Sequence, residues 1–156
     1  MHAFTLPVAT PEYLKIYGTP RKPEDLFRHI GLLKSGPGFL PTNRLVRRGE
    51  IRTVMWKSIH RYVDMLNIKD AMMKSMGIAV DLPLGVVLEE IRNGEVVQVL
   101  DNWHRDFWDY SVVIRSEDTK TDIGRFATWY ARRATADIDW RREEGFRLLG
   151  VDPRLI

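Results

Sequence analysis

The amino-acid sequence predicts an α/β domain with a largely parallel sheet. The central stretch, residues 64–94, has the pattern of a helix, a glycine turn, a short apolar strand, a proline-broken loop and a second helix. Apolar residues recur at helical spacing from Asp64 to Met76, residues 78–80 are continuously apolar, and the helical pattern resumes over residues 84–91. Along the whole chain, roughly six strands alternate with five or six helices, and such alternation is typical of parallel sheets.

Before this central stretch, proline and glycine separate short strands and helices. Residues 3–9 (AFTLPVA) are predicted to form a strand that its proline bends or places at a sheet edge. Thr10 is predicted to cap a helix over residues 11–17, which has proline at its first position. A second helix begins at Pro23 with acids in its first turn, and residues 31–33 form a short strand.

Residues 35–48 are rich in Gly, Pro, Asn and Arg, and they predict a surface loop that leads into a pair of strands. The two strands are expected near residues 45–46 and 51–56, with a turn at residues 48–50. Residues 57–63 are interpreted as a polar segment directly ahead of the central stretch.

After the central stretch, the pattern predicts two strands and a long helix. Residues 95–100 (EVVQVL) and 110–115 (YSVVIR) are the strands, and residues 101–109 between them form an aromatic, charged loop. Residues 121–136 are predicted as the final long helix, and the tail, residues 137–156, as a short helix that folds back.

Composition and charge describe a globular chain and exclude several classes of protein. Of the 156 residues, 44% are hydrophobic and 29% are charged, which is typical of a chain that buries a core. Lys and Arg number 24 against 21 Asp and Glu, and because the signs are interleaved, the net charge of +3 is weak support for nucleic-acid binding. The absence of cysteine excludes disulfides and thiolate metal sites, and no apolar run reaches the roughly 20 residues of a membrane helix. We therefore expect a soluble cytoplasmic protein.

Three stretches of sequence, in order, resemble the effector-binding domain of LysR-type transcriptional regulators. They are VATPEYLKIYGTPRKPEDLFRHI from Val8, MKSMGIAVDLP from Met73, and RNGEVVQVL from Arg92. Ser75 stands where the family has a glycine, and the closing unit over residues 110–133 lacks the family's proline. The resemblance implies a Rossmann-like regulatory subdomain of the periplasmic-binding-protein-like fold, with a mostly parallel sheet.

The resemblance also implies how the chain is divided. Residues 1–156 would be a single partial effector-binding domain, in which about 3–100 form the second regulatory subdomain. Residues 106–136 would be the returning strand and helix of a partial first subdomain, followed by a tail at 137–156. The family's helix-turn-helix has no counterpart in this sequence, so we expect a module of transcription regulation without its own DNA-binding domain. Apolar side chains at 112–114 and on the final helix would lack neighbours, which favours a homo-oligomer or pairing with an intact LysR-type regulator.

By the same resemblance, a small effector, often a carboxylate or an aromatic compound, would bind in the cleft between the subdomains. The positions that correspond to the family's binding residues are Thr10, Ser58, His60, Asp64, Leu82 and Val113. Thr10 and Asp64 also have an alternative role as helix caps. The aromatic loop could stack on a ligand or cover the gap beside the subdomain, through Trp103, His104, Arg105, Phe107 and Trp108.

Catalysis and metal binding are not predicted. Ser58, His60 and Asp64 belong to one segment, in which side chains rarely converge on one atom, and there is no Gly-x-Ser-x-Gly elbow. The histidines show no metal-ligand spacing, so neither a metal nor another cofactor is expected. The alternative function is a standalone small-molecule-binding domain similar to solute-binding proteins, which acts without a regulator partner.

Overall fold

The structure, a computed structural model, describes residues 2–37, 40–106 and 108–152. The helices are α1 (Pro11–Tyr17), α2 (Met65–Met73), α3 (Leu88–Arg92) and α4 (Asp122–Leu149). Three short 3-10 helices cover Pro23–Arg28, Leu84–Val86 and Ser116–Asp118. The strands are β1 (His2–Ala3), β2 (Val8–Ala9), β3 (Ile30–Lys34), β4 (Arg44–Arg47), β5 (Glu50–Thr53), β6 (Ser58–Tyr62), β7 (Ile78–Ala79), β8 (Val97–Gln98) and β9 (Trp108–Asp109).

A five-stranded sheet in the order β6-β3-β7-β2-β8 forms the centre of the molecule. Strand β3 pairs in parallel with β6 on one side and with β7 on the other. Strand β2 is antiparallel to both β7 and β8, so four of the five strands point in one direction and β2 opposes them. The predicted α/β fold with a mainly parallel sheet is confirmed.

Two layers of apolar side chains cover the two faces of this sheet. Successive strand residues alternate between the layers, because side chains of a strand point to opposite faces in turn. Leu32 packs with Ile68 and Met72 of α2, whereas its neighbour Leu33 packs with Tyr13 of α1. All five side chains are fully buried. The sheet therefore lies between α2 on one face and α1 on the other.

Local sequence signals set several element boundaries as predicted. Thr10 Oγ1 accepts a hydrogen bond from Tyr13 N at 3.3 Å and caps α1, and Asp64 Oδ1 accepts one from Asn67 N at 2.9 Å and caps α2. The hairpin of β4 and β5 turns at Arg48 and Gly49, both with positive φ. These predictions are confirmed.

The polar segment over residues 57–63 proves to contain a strand. Strand β6 pairs along its whole length with β3 and forms an edge of the sheet. Its residues are exposed or half-buried, because an outer strand is covered less than a central one. Its polar composition therefore reflects this edge position.

Residues 110–115 are not a strand, which corrects the sequence prediction. The chain pairs slightly earlier instead, where β9 runs antiparallel to β1. Within the described residues, no strand lies beside 110–115, and Val113 is 87% exposed. β-branched residues such as Val112, Val113 and Ile114 favour a strand only where a neighbouring strand can pair with them.

The final helix is longer than predicted. Helix α4 runs without a break from Asp122 to Leu149 and ends at Gly150, which adopts the left-handed conformation (φ 65°) that favours glycine at helix ends. The short returning helix predicted for the tail is therefore wrong. No proline follows residue 136 until Pro153, which lies outside the described residues, so nothing terminates the helix there.

Candidate functional site

The carboxyl ends of the parallel strands meet at one edge of the sheet. Strands β3, β6 and β7 end there, and Asp64 and Leu82 follow β6 and β7 at the same edge. In open α/β sheets this edge is where ligands bind. It is therefore the place to look for a site.

A cleft of about 300 Å³ opens between this edge and α4. One wall is the loop over residues 83–86 with Met65, the first residue of α2, and the other wall is the middle of α4. The cleft is lined by Phe4, Met65, Pro83, Leu84, Gly85, Val86, Tyr110, Ile138, Arg141 and Arg142. Its volume is at the lower end of the roughly 300–1,000 Å³ that small-molecule sites occupy.

Two glycines allow α4 to lie close to the loop that forms the opposite wall. A Cβ atom added at Gly145 would be 2.9 Å from Leu84 Cδ1, and one added at Gly85 would be 2.8 Å from Arg141 Cδ. Phe146 of α4 is 93% buried, and its ring meets that of Phe4 edge-on at 4.8 Å between centroids. The position of the α4 wall is therefore fixed by close packing.

A second link joins α4 to α3 beside the cleft. Glu144 accepts hydrogen bonds from Arg147 Nη2 at 2.7 Å and from Arg92 Nη2 at 3.2 Å. These bonds, chiefly those from Arg147, lower the pKa of Glu144 to about 2. The carboxylate thus stays charged at any ordinary pH, and it keeps α3 and α4 connected.

The polar groups of the cleft are mostly basic. Arg141 donates from Nη1 to the Gly85 carbonyl at 3.3 Å and from Nε to Asp137 at 2.8 Å. Arg142 Nη1 lies 3.0 Å from the Asp139 carboxylate, and its side chain is 28% exposed. Burial raises the pKa of the Tyr110 phenol, which is therefore neutral near pH 7. The cleft thus has apolar walls, and its lining includes one phenol and two arginines whose guanidinium groups are paired with Asp137 and Asp139.

Two of the six residues named from the sequence lie at this edge. Leu82 is fully buried just behind the loop over residues 83–86, and Asp64 precedes the cleft residue Met65. The Asp64 carboxylate already accepts the Asn67 N–H at the start of α2. An external anion is therefore less favoured at this helix end than at an uncapped one.

Thr10 and Ser58 lie at the opposite edge of the sheet. Thr10 follows the antiparallel strand β2, and its hydroxyl oxygen is 2.8 Å from that of Ser75, which precedes β7. Ser58 begins β6 opposite Ile30, the first residue of β3. The structure therefore does not bring Thr10 or Ser58 together with the cleft residues.

His60 and Val113 are also outside the cleft lining. His60 sits half-buried in the middle of β6, and Val113 belongs to the irregular segment that carries Tyr110. Ser58 begins β6 and Asp64 follows its end, so the length of the strand, roughly 13 Å, separates them, and the three side chains do not form a triad. Among the described residues, no three or more His, Asp or Glu side chains are grouped so that they could hold a metal ion.

Sequence reasoning missed the α4 wall, because the helix was expected to end near residue 136. Once α4 is known to continue, Ile138, Arg141 and Arg142 fall at i, i+3 and i+4, a spacing that places them on one side of the helix. Tyr110 was assigned to a strand rather than to a ligand wall. A tail rich in Arg and Glu without a helix breaker was the signal that could have identified this wall.

The aromatic loop is part of the core and supports the edge of the sheet. Trp103 and His104 are almost fully buried, and the Arg47 guanidinium lies 4.5 Å from the Trp103 ring centre. Stacking of these two side chains on a ligand is therefore not favoured. Phe107 lies outside the described residues.

Asp81 is the centre of a buried polar cluster beside the cleft edge. Its carboxylate, which is fully buried, accepts hydrogen bonds from Lys34 N at 2.7 Å, Thr42 Oγ1 at 2.5 Å and Arg105 Nη1 at 2.6 Å. Burial lowers the pKa of Arg105, and the nearby Asp81 charge opposes this shift. These four residues, the Asp81 cluster, join β3, β7, the loop before β4 and the aromatic loop.

Comparison with solved structures decides the fold family. The chain is similar to full-length AphB of Vibrio cholerae, described as a member of the LysR-type family, at 24% identity and a TM-score of 0.53. It is similar to the regulatory domain of the LysR-type regulator CrgA from Neisseria meningitidis at 20% identity and a TM-score of 0.54. It is also similar to the effector domain of the regulator AmpR from Pseudomonas aeruginosa at 15% identity and a TM-score of 0.58. The chain has the fold of a LysR-type regulatory domain.

The LysR-type resemblance drawn from the sequence motifs is thereby confirmed in the fold. The matches cover 69% of this chain for AphB, 92% for CrgA and 90% for AmpR. In turn, the chain spans 36% of the AphB structure and 66% of the CrgA and AmpR domain structures. No protein-family model matches the sequence, and no curated protein matches it significantly. None of the helices in the described ranges is both long and apolar enough to cross a membrane.

Proposed function

We propose that this chain is the effector-binding module of a LysR-type transcriptional regulator and that it binds a small, largely apolar carboxylate. The observation that carries the proposal is the cleft between the carboxyl edge of the sheet and α4, which has apolar walls and Arg141 and Arg142 at its rim. The LysR-type fold supports a regulatory role, because the solved relatives are described as transcriptional regulators. As such a module it would work in the cytoplasm without catalysing a reaction.

The chemistry of the cleft selects the class of effector. Met65, Val86 and Ile138 are half-buried and offer apolar contact, whereas a guanidinium binds a carboxylate through two parallel N–H donors. Arg142 is only 28% exposed, so a hydrogen bond formed there is screened less by water than one on an open surface. A compound with an aromatic or branched aliphatic body and one carboxylate fits both features.

A titration with benzoate tests this proposal. Benzoate should perturb the amide signals of residues 83–86 and 138–142 in a heteronuclear NMR spectrum, and benzamide, its neutral counterpart, should bind at least tenfold more weakly. The variant Arg142→Met keeps an apolar stem and should weaken benzoate binding about tenfold. Arg125→Met, on an exposed turn of the same helix, is the matched control and should leave it unchanged. Equal affinities for benzoate and benzamide would overturn the proposed role of the arginines.

We further propose that the 156 residues do not bind operator DNA by themselves but act through a homo-oligomer or an intact LysR-type regulator. Acidic and basic residues are interleaved along the chain, so no strongly basic surface is expected. A gel shift that is specific for operator sequence and persists at about 200 mM salt would contradict this part. Co-purification with a defined full-length LysR-type regulator separates this function from that of a standalone binding domain.

A further inference from the structure

The loop wall of the cleft is held by a lysine that does not itself line the cleft. Lys69 of α2 donates from Nζ to the Val86 carbonyl at 2.8 Å, and the same ammonium group lies 2.6 Å from Glu90 Oε1 of α3. Val86 lines the cleft, whereas Lys69 and Glu90 do not. One cation therefore joins two helices to the loop over residues 83–86.

Partial burial keeps this ion pair in one arrangement. The side chain of Lys69 is 28% exposed and that of Glu90 is 17% exposed. The second carboxylate oxygen, Glu90 Oε2, is inaccessible to solvent and has no hydrogen-bond partner among the described residues. The charge of Glu90 is therefore balanced mainly by Lys69, through a bond that water screens little. Lys74 and Asp70 form a pair on the same helix that is more than 60% exposed on both sides, and such surface pairs contribute little.

The loop itself is a single short turn whose two ends are held differently. It is the 3-10 helix Leu84–Val86, in which Val86 N donates to the Pro83 carbonyl at 2.9 Å. Hydrogen bonds in 3-10 turns have poorer geometry than those of an α-helix. Leu84 is almost fully buried and anchors the first end, whereas Val86 is only half-buried. The position of the second end therefore depends on the bond from Lys69.

The bond from Lys69 is independent of the arginine that holds the same loop from α4. Arg141 Nη1 donates to the neighbouring Gly85 carbonyl at 3.3 Å, a longer distance than that of the Lys69 bond. An effector carboxylate that binds Arg141 competes with this carbonyl for the guanidinium N–H groups. Lys69 does not line the cleft, so its bond to Val86 is kept when an effector enters. The width of the occupied cleft therefore depends on Lys69.

We propose that Lys69 is a positioning residue of the effector site and that, by holding the loop wall, it selects carboxylates with one ring over those with two fused rings. The inference rests on the proposed function and adds the size class of the effector. The cleft volume of about 300 Å³ is at the lower end for small-molecule sites, so the wall has to move before a larger body enters. A wall tied to a partly buried ion pair resists that movement.

Parallel NMR titrations with benzoate and 1-naphthoate test the proposal. The unmodified chain should bind benzoate about tenfold more tightly than 1-naphthoate. The double variant Lys69→Met with Glu90→Gln removes the tie and both charges together, and it should bring the two affinities within about threefold of each other. Glu90→Gln alone keeps the bond from Lys69 to Val86, and Lys74→Met is the matched control on the same helix, so both should keep the preference. A double variant that keeps the full preference overturns the proposal, and so does either control that loses it.

Hydrogen exchange measures the hold on the loop without an effector. In the double variant the Val86 amide should exchange about tenfold faster relative to the Val54 amide, which donates to the Asn43 carbonyl at 2.8 Å on the α1 side of the sheet. Glu90→Gln alone should leave this ratio unchanged, and an unchanged ratio in the double variant overturns the role of Lys69. Failure of the proposed function is recognised separately, because benzoate then does not bind the unmodified chain, and the size selection falls with it. Failure of this inference alone leaves benzoate binding intact.

Discussion

Removing the Asp81 carboxylate is expected to be among the most damaging single changes in the protein. The side chain is fully buried, and it accepts hydrogen bonds from a backbone N–H, a hydroxyl and a guanidinium. Asp81→Ala would remove all three bonds at once. It would also remove the Asp81 charge from beside Arg105, whose side chain is only 16% exposed.

The magnitude follows from the Arg105 pair. Loss of one partner of a buried ion pair costs about 3–5 kcal/mol, because the remaining charge is poorly solvated. The Thr42 hydroxyl can turn to another acceptor, so losing its bond to Asp81 adds little to this cost. We therefore expect Asp81→Ala to lower the free energy of unfolding by about 4 kcal/mol in total. The total free energy of unfolding of a native domain is about 5–15 kcal/mol, so this loss is a large part of it. Asp81→Asn keeps the shape and one acceptor oxygen, and it should cost about 3 kcal/mol.

Urea denaturation followed by circular dichroism measures these free energies of unfolding. The decisive comparison is the double variant Asp81→Asn with Arg105→Met, in which both charges are gone. Because it removes the largely buried guanidinium together with the carboxylate charge, it should be more stable than Asp81→Asn alone by at least 1 kcal/mol. A cost below about 1 kcal/mol for Asp81→Ala would refute the reasoning, and so would strict additivity of the two changes in the double variant.

Three further predictions concern helix packing, pH and capping. Gly145→Ala should lower the free energy of unfolding by about 1 kcal/mol, although alanine has the better helix propensity, because its Cβ would be 2.9 Å from Leu84 Cδ1. Gly124→Ala should lower it further, because its Cβ would contact backbone carbonyl oxygens. Urea titrations of the two variants compare these free energies. Burial lowers the pKa of His104, so the folded state stays neutral while the unfolded state takes up a proton below about pH 6.5. Stability should therefore fall as the pH drops from 7 to 5, and His104→Gln should reduce that slope in urea titrations at each pH. Thr10→Ala removes the cap of α1 and should cost about 1 kcal/mol by the same measurement, whereas Thr10→Ser should cost little.

The parts of the fold that the sequence predicted correctly are those with local signals. Thr10 and Asp64 cap their helices through side chains three residues from the N–H that they accept, and the β4–β5 turn has Gly49 at a positive φ. Such signals act within a few residues, so a sequence is sufficient to find them. The parallel sheet followed from the alternation of elements that these signals delimit.

What could not be predicted depends on neighbours that are distant in sequence. Residues 110–115 have the alternation of a strand, yet no described strand lies beside them. The cleft required knowing that Gly145 lets α4 approach Leu84, which is a contact across 61 positions. The residues carried over from the family resemblance presuppose a second subdomain as the opposite wall, whereas residues of α4 line the cleft in the described part of the chain. Their role in effector binding stays a prediction.

Helix α4 contributes to the proposed effector cleft from one side only. At about 100° per residue, Arg142 and Phe126 lie about 160° apart around the helix axis. Arg142 lines the cleft and Phe126 does not. Arg142→Met should therefore weaken benzoate binding, whereas Phe126→Glu should leave it unchanged, and both variants are measured by the same NMR titration. If Phe126→Glu weakens benzoate binding as much as Arg142→Met does, the assignment of effector binding to the cleft side of the helix is wrong.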